Sequence, residues 1–409
     1  MEISLDNAEV NALLDGFDAD RMRADRLVRL HRAMDRHDLA AVVAFEYANT
    51  RYLSDLRPLW APNFLVRQAA IVARGSDRVI VFVHLDDTPH RRSIMPWIAP
   101  EDVREFPTGV ANYGASADAL RPLTDALEEL GVDPAGRIAV DIGTVSSLDN
   151  LRAGLAPRTV VDATACMRDV RSTKNDDELR LMRFASRVSD LTMARAISAI
   201  APGVRECEVL AEAMDVLYRF GAEVPQCNLI VCSGSNTMPM QRYAGDRKIE
   251  NGDLVMLDLG GCFNGMFSEL ARTTVCGDPN PQQRAIYRTA YEIHEATIGA
   301  MAAGVTPQAV QAAGAVPYES SPYHGLMQKM VIAHGIGVGY AEAPFVAPPG
   351  TPAGSSAPLE AGTTLAVVPT LLVPGIPGGG GVRIEDVLIV AEGGPERMTR
   401  HPYDEKLLA

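Results

Sequence analysis

The segment DLVMLDLGGCFNGMFSELARTTV, residues 253–275, consists of two apolar runs separated by a glycine-rich stretch. The runs have the composition of β-strands, and the stretch from Gly260 to Gly265 predicts the turn that joins them. Asp258 and Glu269 lie inside the runs, at positions where a core residue would be expected. Because two strands joined by this turn can place both side chains on one face, the segment predicts a hairpin that carries two carboxylates.

Two further polar residues occur in apolar β contexts of the same half of the chain, His334 in IAHGIG and Glu385 in VRIEDVLIV. Burying an ionised carboxylate is costly unless a cation or dense hydrogen bonding compensates for the lost hydration. One such residue alone would be explained by pairing with an arginine such as Arg272 or Arg383, whereas four together favour a site in one water-poor hollow. Their oxygen and imidazole donors suit Mn, Fe, Co or Zn.

Composition limits the class of protein. A chain of 409 residues predicts two domains, and 47% hydrophobic with 22% charged residues is typical of a globular enzyme. The net charge of −14 disfavours a nucleic acid or an anionic membrane as partner. The sequence shows neither a secretory signal nor an apolar run of about 18 residues, and its cysteines form no CxxC pair. We therefore expect a cytoplasmic protein with reduced thiols.

Residues 1–165 predict an α/β domain. A helical pattern runs into the strand AAVVAF, and QAAIVARGSDRVIVFVHL contains two β-branched runs that predict a hairpin around Gly75. The runs RIAVDIG and RTVVDATACM add two strands. Alternating strands and helices indicate a mixed sheet with helices packed on it.

Residues 166–409 predict an α+β domain. Ser172 or Thr173 can cap a helix that has three acidic residues in its first turn, and a second helix ends at Gly221. Beyond that point short β runs alternate with glycines, and the segment QQRAIYRTAYEIHEATIGAMAAG predicts a helix between them. This order favours an antiparallel sheet with helices.

Several motifs together resemble the pita-bread family, which contains methionine aminopeptidase, aminopeptidase P, prolidase and creatinase. They are D-x-G from Asp258, E-x-x-R-T from Glu269, HGIG from His334 and R-x-E-D from Arg383. The resemblance covers nearly the whole chain, because NTRYLSDL through QAAIV resembles the extra domain of the creatinase and prolidase branch. It implies a creatinase-like amino-terminal α/β domain, a carboxyl-terminal α+β domain of the pita-bread fold, and a homodimer.

The resemblance also implies a metal site, with one departure. In the metallopeptidase members the ligands Asp, Asp, His, Glu and Glu hold two metals. Asp258, His334 and Glu385 match the first, third and fifth positions, and Glu269 replaces the second aspartate with a longer side chain. Val368 stands at the fourth position, in LAVVPTLL, and cannot bind a metal. We therefore expect either one divalent metal or none.

Two histidines that peptidase relatives use near the scissile bond are also replaced. Gln241 stands upstream of the first aspartate, and Ala341 lies seven residues after His334, although Glu342 beside it is retained. Glutamine can form hydrogen bonds but cannot act as a general base. These departures argue against an ordinary prolidase or aminopeptidase P activity.

Arg67 in RQAAIV resembles an arginine of creatinase-like relatives that reaches the partner subunit's site and binds the substrate carboxylate. The alternative is a surface arginine at the edge of a strand. Trp60 would form an apolar wall of the pocket or pack in the dimer contact. Arg383 would point into the cleft or neutralise the carboxylates. The predicted substrate-binding set is therefore Arg67, Gln241, Trp60, Glu342 and Arg383.

The favoured hypothesis is a creatinase-like, non-peptidase hydrolase of a C–N bond in a small amino-acid-derived substrate that carries a carboxylate. Its catalytic residues would be His334 as proton carrier with Glu269, Glu385 and Asp258, because crowded carboxylates raise one another's pKa. One alternative is a metal-dependent Xaa-Pro aminopeptidase or dipeptidase, or a lyase, with an atypical ligand set. Another is a pseudoenzyme that only binds a ligand.

Overall fold

The structure, a computed structural model, describes residues 8–57, 68–83, 88–105, 120–141, 145–226, 229–240, 243–352 and 357–409. These residues form two compact units. The amino-terminal unit is Asp18–Arg171, and the carboxyl-terminal unit is Ser172–Ala409 together with the described residues of Met1–Phe17. None of the helices in these ranges combines the length and the hydropathy that crossing a membrane requires.

The regular elements are numbered in chain order. The α-helices are α1 (Ala8–Asn11), α2 (Ala19–Arg36), α3 (Tyr47–Ser54), α4 (Thr88–Ile94), α5 (Arg121–Glu129), α6 (Val145–Leu155), α7 (Thr164–Arg171), α8 (Asp176–Ser198), α9 (Glu206–Arg219), α10 (Pro281–Gly299), α11 (Pro307–Glu319) and α12 (Glu405–Leu408). The strands are β1 (Ala41–Ala44), β2 (Ala69–Ala73), β3 (Val79–Val83), β4 (Val103–Glu105), β5 (Arg137–Val140), β6 (Thr159–Asp162), β7 (Val224–Pro225), β8 (Ile230–Ser233), β9 (Leu254–Phe263), β10 (Met266–Val275), β11 (Ala333–Gly335), β12 (Glu342–Val346), β13 (Thr364–Val367), β14 (Thr370–Leu372), β15 (Gly381–Arg383), β16 (Asp386–Ile389) and β17 (Glu396–Arg397).

The amino-terminal unit contains a six-stranded mixed sheet in the order β4-β3-β2-β1-β5-β6. The predicted hairpin is present, since β2 pairs antiparallel with β3, while β1, β5 and β6 pair in parallel. Strand β1 is buried along its whole length, as expected for a short apolar run covered on both faces. Apolar side chains of α5 and α6 pack on this sheet, so the α/β prediction for this part is confirmed.

The carboxyl-terminal unit begins with α8, whose amino-terminal cap differs from the prediction. Asn175, not Ser172 or Thr173, accepts a hydrogen bond from the Glu178 backbone N–H at 2.8 Å. The Glu178 side chain accepts in return from the Asn175 backbone N–H at 3.0 Å. This capping box satisfies two amide groups that a helix start leaves without partners, which stabilises a helix by about 1 kcal/mol.

Two antiparallel sheets dominate the carboxyl-terminal unit. One is built around β9 and β10, with β7 and β8 also paired to β9, and the other has the order β12-β11-β13-β16-β17. Apolar side chains of α10 and α11 belong to the core cluster that contains residues of the second sheet. The arrangement confirms the predicted α+β class.

The β9–β10 hairpin was correctly predicted, but its turn is shorter than expected. Gly260, Gly261 and Cys262 belong to β9, and the turn consists of Asn264 and Gly265 alone. Both turn residues have positive φ angles, +48° and +80°. A two-residue turn with two positive φ values matches the twist of paired strands and is the arrangement that Asn-Gly favours.

Candidate active site

The carboxyl-terminal unit contains a cavity of about 470 Å³. Its lining includes four of the residues that the sequence singled out, namely Asp258, Glu269, His334 and Arg383. Val368, which stands at the fourth ligand position of the family pattern, also lines it. Glu385 lies beside them, because His334, Glu269 and Glu385 each offer an atom within 4.8 Å of the others.

The strand register places Asp258 and Glu269 on one face of the hairpin. Asp258 is opposite Ala271, and Glu269 is opposite Gly260, so the two carboxylates are diagonal neighbours. Gly260 is required at its position, since a Cβ there would lie 2.0 Å from the Ser268 carbonyl oxygen. The side chain of Glu269 therefore has no facing side chain on the neighbouring strand.

Glu385 reaches the site from the segment between β15 and β16. Its backbone forms an isolated bridge with Ala271, and its amide donates to the Ala271 carbonyl at 2.9 Å. Arg272 strengthens this link by donating to the Glu385 carbonyl at 2.7 Å and to Asp386 at 2.8 Å. The two sheets are thus tied together at the point where their carboxylates meet.

His334 lies on β11 and is 6% exposed. Its Nδ1 is 3.0 Å from the Gly335 carbonyl oxygen, which assigns the ring proton to Nδ1. Nε2 then carries a lone pair and lies 3.1 Å from Glu269 Oε1. Burial lowers the pKa of His334, which favours this neutral form. Two acceptor atoms at this distance repel each other unless a proton or a metal cation lies between them.

Glu269 and Glu385 are both buried carboxyl groups that lack some of the hydrogen bonds needed to replace their lost hydration. Within the described residues neither oxygen of Glu385 has a hydrogen-bond partner, and the same is true of Glu269 Oε1. Burial, with the nearby Asp258 charge, raises the pKa of Glu385 to about 8. Burial and the charges of Glu385 and Asp258 raise the pKa of Glu269 well above its usual range. The pair therefore favours a neutralising proton or cation.

The carboxylate of Asp258, in contrast, has partners in the protein that balance its charge. Its Oδ2 lies 2.9 Å from Arg383 Nε, and its Oδ1 accepts from Gln226 Nε2 at 2.7 Å. Arg383, for which these two roles were alternatives, both lines the cavity and pairs with a carboxylate. Gln226 was missed by the sequence analysis, although a polar residue in EVPQCNLI next to apolar β positions was a signal.

The residues fit one divalent cation better than two. Glu269, His334 and Glu385, here called the ligand trio, combine two carboxylates without complete hydrogen bonding and one imidazole lone pair. A second ion would need Asp258, which Arg383 and Gln226 already bind, and a ligand at Val368. The trio therefore could hold one ion with coordination positions left open.

The other predicted substrate-binding residues have different outcomes. Arg67, Trp60 and Gln241 lie outside the described residues. Glu342 is 5% exposed, and its Oε1 lies 2.9 Å from Lys174 Nζ, so the structure assigns it to a buried ion pair and not to the cavity lining. Ala341 does line the cavity.

Both halves of the chain match families of known proteins. Residues 180–392 match metallopeptidase family M24, and residues 26–173 match the creatinase/prolidase N-terminal domain. The Xaa-Pro dipeptidase of Pyrococcus furiosus is 25% identical over 381 residues, which is 92% of this chain and 98% of that protein.

Solved structures give the same fold. The Xaa-Pro dipeptidase from Bacillus anthracis superposes with a TM-score of 0.77 at 23% identity, covering 93% of this chain and 99% of that one. Dipeptidase PepE from Mycobacterium ulcerans gives a TM-score of 0.76 at 25% identity, covering 95% and 98%. The expected fold, a creatinase-like amino-terminal domain followed by a pita-bread domain, is confirmed.

Proposed function

Because the chain belongs to metallopeptidase family M24, we propose that it is a divalent-metal-dependent hydrolase that cleaves an amide bond in a small peptide. The relative from Pyrococcus furiosus is an Xaa-Pro dipeptidase that aligns over nearly the whole of both chains. This similarity supports the peptidase alternative better than the creatinase-like hypothesis that the substituted ligand position suggested.

The observation that carries the proposal is the close approach of His334 Nε2 to Glu269 Oε1, 3.1 Å apart, which requires a cation or a proton between the two atoms. A cation between these atoms would convert two facing lone pairs into two ligands. It would also compensate Glu385, whose oxygens have no hydrogen-bond partner among the described residues. A metal bound here would supply Lewis-acid polarisation of the scissile carbonyl.

The neighbouring residues would orient the reacting groups. The hydrogen bond from Nδ1 to the Gly335 carbonyl fixes the His334 ring, with Nε2 facing the trio. Arg383 lies 2.9 Å from Asp258 beside the trio and places a fixed positive charge at the cavity wall. Such a preorganised charge stabilises negative charge that develops on a substrate oxygen.

A second candidate is the creatinase-like, metal-free hydrolysis of a C–N bond. It is favoured by Val368 at a ligand position, and by the raised pKa of Glu385, about 8, which leaves a protonated carboxyl group at neutral pH. In that case a proton, and not a metal, would lie among the trio.

Both candidate functions include a homodimer as part of the proposal. Light scattering would test this oligomeric state.

The experiment compares hydrolysis of a panel of dipeptides before and after chelation. The peptidase proposal predicts that chelation abolishes turnover, that Mn²⁺ or Co²⁺ restores it, and that His334→Ala lowers kcat/KM at least 100-fold. His324→Ala is the matched control, because His324 is exposed and outside the cavity lining. Full turnover after complete metal removal would refute metal dependence and favour the second candidate.

A further inference from the structure

Asp386 follows Glu385 directly in the chain and holds the same piece of backbone from the other side. Successive side chains of extended backbone point to opposite faces, so Asp386 points away from the ligand trio. It is 1% exposed. Its Oδ1 accepts hydrogen bonds from Arg272 at 2.8 Å and from the Thr399 hydroxyl at 2.7 Å, and its Oδ2 accepts one from the Tyr403 hydroxyl at 2.8 Å. These partners hold the carboxylate in one position, and with it the backbone of Glu385.

Arg272 links the Asp386 carboxylate to the backbone of Glu385. Its guanidinium donates to the Glu385 carbonyl oxygen at 2.7 Å as well as to Asp386. The Tyr403 ring lies over this guanidinium, with 4.6 Å between Arg272 Cζ and the ring centroid, which is a cation–π contact. Tyr403 therefore contacts both side chains that hold this backbone, because its hydroxyl group binds Asp386 and its ring packs on Arg272.

Tyr403 is itself held in place by side chains of its surroundings. Arg397 donates to the Tyr403 hydroxyl oxygen, and Glu295 accepts two hydrogen bonds of 2.7 Å from Arg397. The hydroxyl hydrogen has two carboxylates within reach, and the contact with Asp386, at 2.8 Å, is shorter than the one with Glu295, at 3.3 Å. Tyr291 on α10 packs edge-on against the ring, with centroids 4.9 Å apart. These contacts orient the hydroxyl group towards Asp386.

The other neighbours of Asp386 Oδ2 do not replace this hydroxyl group. His294 Nε2 lies 3.3 Å away and Arg397 Nη1 lies 3.8 Å away. Within the described residues His294 Nε2 forms no hydrogen bond, and the distance to Arg397 is too long for one. The Tyr403 hydroxyl therefore makes the hydrogen bond that fixes the Oδ2 side of the carboxylate.

We propose that Tyr403 is a positioning residue for Glu385: through Asp386 and Arg272 it keeps the Glu385 carboxylate where it meets the rest of the ligand trio. The inference rests on the proposed function for the role of Glu385 as a metal ligand. Loss of the hydroxyl group would loosen the start of β16, from which Glu385 enters the site. Removal of a group that orients a metal ligand typically weakens metal binding by about tenfold or more.

The test compares Tyr403→Phe with Tyr291→Phe in the full chain. Tyr403→Phe removes the hydroxyl group and keeps a ring that can pack on Arg272. Tyr291→Phe is the matched control, because it removes a hydroxyl group from the neighbouring ring, and this group has no hydrogen-bond partner within the described part of the chain. The two variants therefore differ in the contact with Asp386.

The first measurement is hydrogen exchange of the Glu385 amide in the chelated proteins, by mass spectrometry of overlapping peptides. This amide donates to the Ala271 carbonyl at 2.9 Å. We expect exchange about tenfold faster in Tyr403→Phe, because a hydrogen bond to a charged group contributes that much to a local opening equilibrium. The amides of β8 are the internal reference and should not change. The second measurement is Mn²⁺ affinity by calorimetry, which should be about tenfold weaker in Tyr403→Phe.

The outcomes separate this inference from the proposed function. Faster exchange at Glu385 with weaker Mn²⁺ binding in Tyr403→Phe, and neither change in Tyr291→Phe, supports the inference. The same local change in exchange would support it even if no protein binds Mn²⁺, the wild type included, in which case only the proposed function fails. Unchanged exchange at Glu385, changes of equal size in both variants or at β8, or wild-type Mn²⁺ affinity in Tyr403→Phe would each overturn it, even if chelation abolishes dipeptide hydrolysis.

Discussion

At the scale of single residues, the three carboxylates of the site differ in how many partners from the protein balance their charge. Asp258 has an arginine and a glutamine as partners, whereas Glu269 and Glu385 face His334 with incomplete hydrogen bonding. Under the proposed function, this contrast favours one ion at the trio over two. The sequence predicted that the four residues meet, because charged groups in apolar strands need a common environment.

The partners of several polar residues in and near the site could not be predicted from the sequence. Gln226 is separated from Asp258 by 32 positions, and the pair depends on how β8 and the preceding segment pack on β9. The ion pair between Lys174 and Glu342 spans 168 positions. Such long-range contacts follow from the register of strands, which local patterns do not specify.

Val368→Glu tests the position of the missing ligand. The new carboxylate would restore the fourth ligand of the family pattern, so we predict at least tenfold tighter metal binding or one more ion per chain. Val368→Gln is the control, because it has a similar size but no charge. The measurement is metal content after equilibrium dialysis against Mn²⁺. Equal metal uptake by wild type and Val368→Glu would show that residue 368 does not face the ion.

The titration of Glu385 predicts how the stability of the metal-free protein depends on pH. Its pKa is about 8 in the folded chain and 4.5 when exposed, so between these values the folded state binds more protons than the unfolded state. The free energy of unfolding should therefore fall as pH rises through this window, by on the order of 3 kcal/mol between about pH 5.5 and 8.5.

Urea denaturation of the chelated protein at both pH values measures this fall. Glu385→Gln remains uncharged throughout, so the variant should lose much of the pH dependence. A fall of the same size in wild type and variant would mean that other groups cause it.

At the scale of elements, the HGIG segment packs against the buried ion pair between Lys174 and Glu342, and only a glycine at position 337 leaves room for that pair. A Cβ on Gly337 would lie 2.6 Å from Lys174 Cε and 2.7 Å from Glu342 Oε1. The side chains of both partners are only 3% exposed, so they have little room to move. The pair fixes the loop that leads from His334 to β12.

Gly337→Ala should therefore destabilise the protein by about 1–3 kcal/mol, through forced displacement of the ion pair. Gly299→Ala is the matched control, because a Cβ there meets nothing within 4 Å and alanine favours a helix. Thermal denaturation measures both. A destabilisation of Gly337→Ala no larger than that of the control would contradict the tight packing of this loop.

The sequence predicted most elements but misplaced some boundaries. The sequence predicts the β9–β10 hairpin and α8, but it predicts a turn of six residues and a cap at Ser172 or Thr173, whereas the turn has two residues and the cap is Asn175. Gly260 lies within β9 because the strands pack closely there, and not because it forms a turn. A Cβ at this position would lie 2.0 Å from the Ser268 carbonyl oxygen. Helix α11 was not predicted, because it contains an internal Pro317 and many small residues that give a weak amphipathic pattern.

At the scale of the whole molecule, metal binding and folding should be coupled. The trio brings together β10, β11 and the segment before β16, which are distant in the sequence and do not preorganise in the unfolded chain. At a concentration 100 times its dissociation constant, an ion that binds only the folded state stabilises it by about 2.7 kcal/mol.

We therefore predict that Mn²⁺ raises the melting temperature of the chelated wild-type protein by several degrees. His334→Ala should show little or no increase, and His324→Ala should behave as wild type. Differential scanning calorimetry measures the three proteins in parallel. An equal increase in wild type and His334→Ala would place the stabilising ion elsewhere in the molecule.

The most direct test of the central claim is the number of Mn²⁺ or Co²⁺ ions bound per chain at saturation, determined by elemental analysis after dialysis. We predict one ion per wild-type chain, and none in a variant that combines Glu269→Gln with His334→Ala. No bound ion in the wild type, two ions, or one ion that persists in the double variant would contradict it.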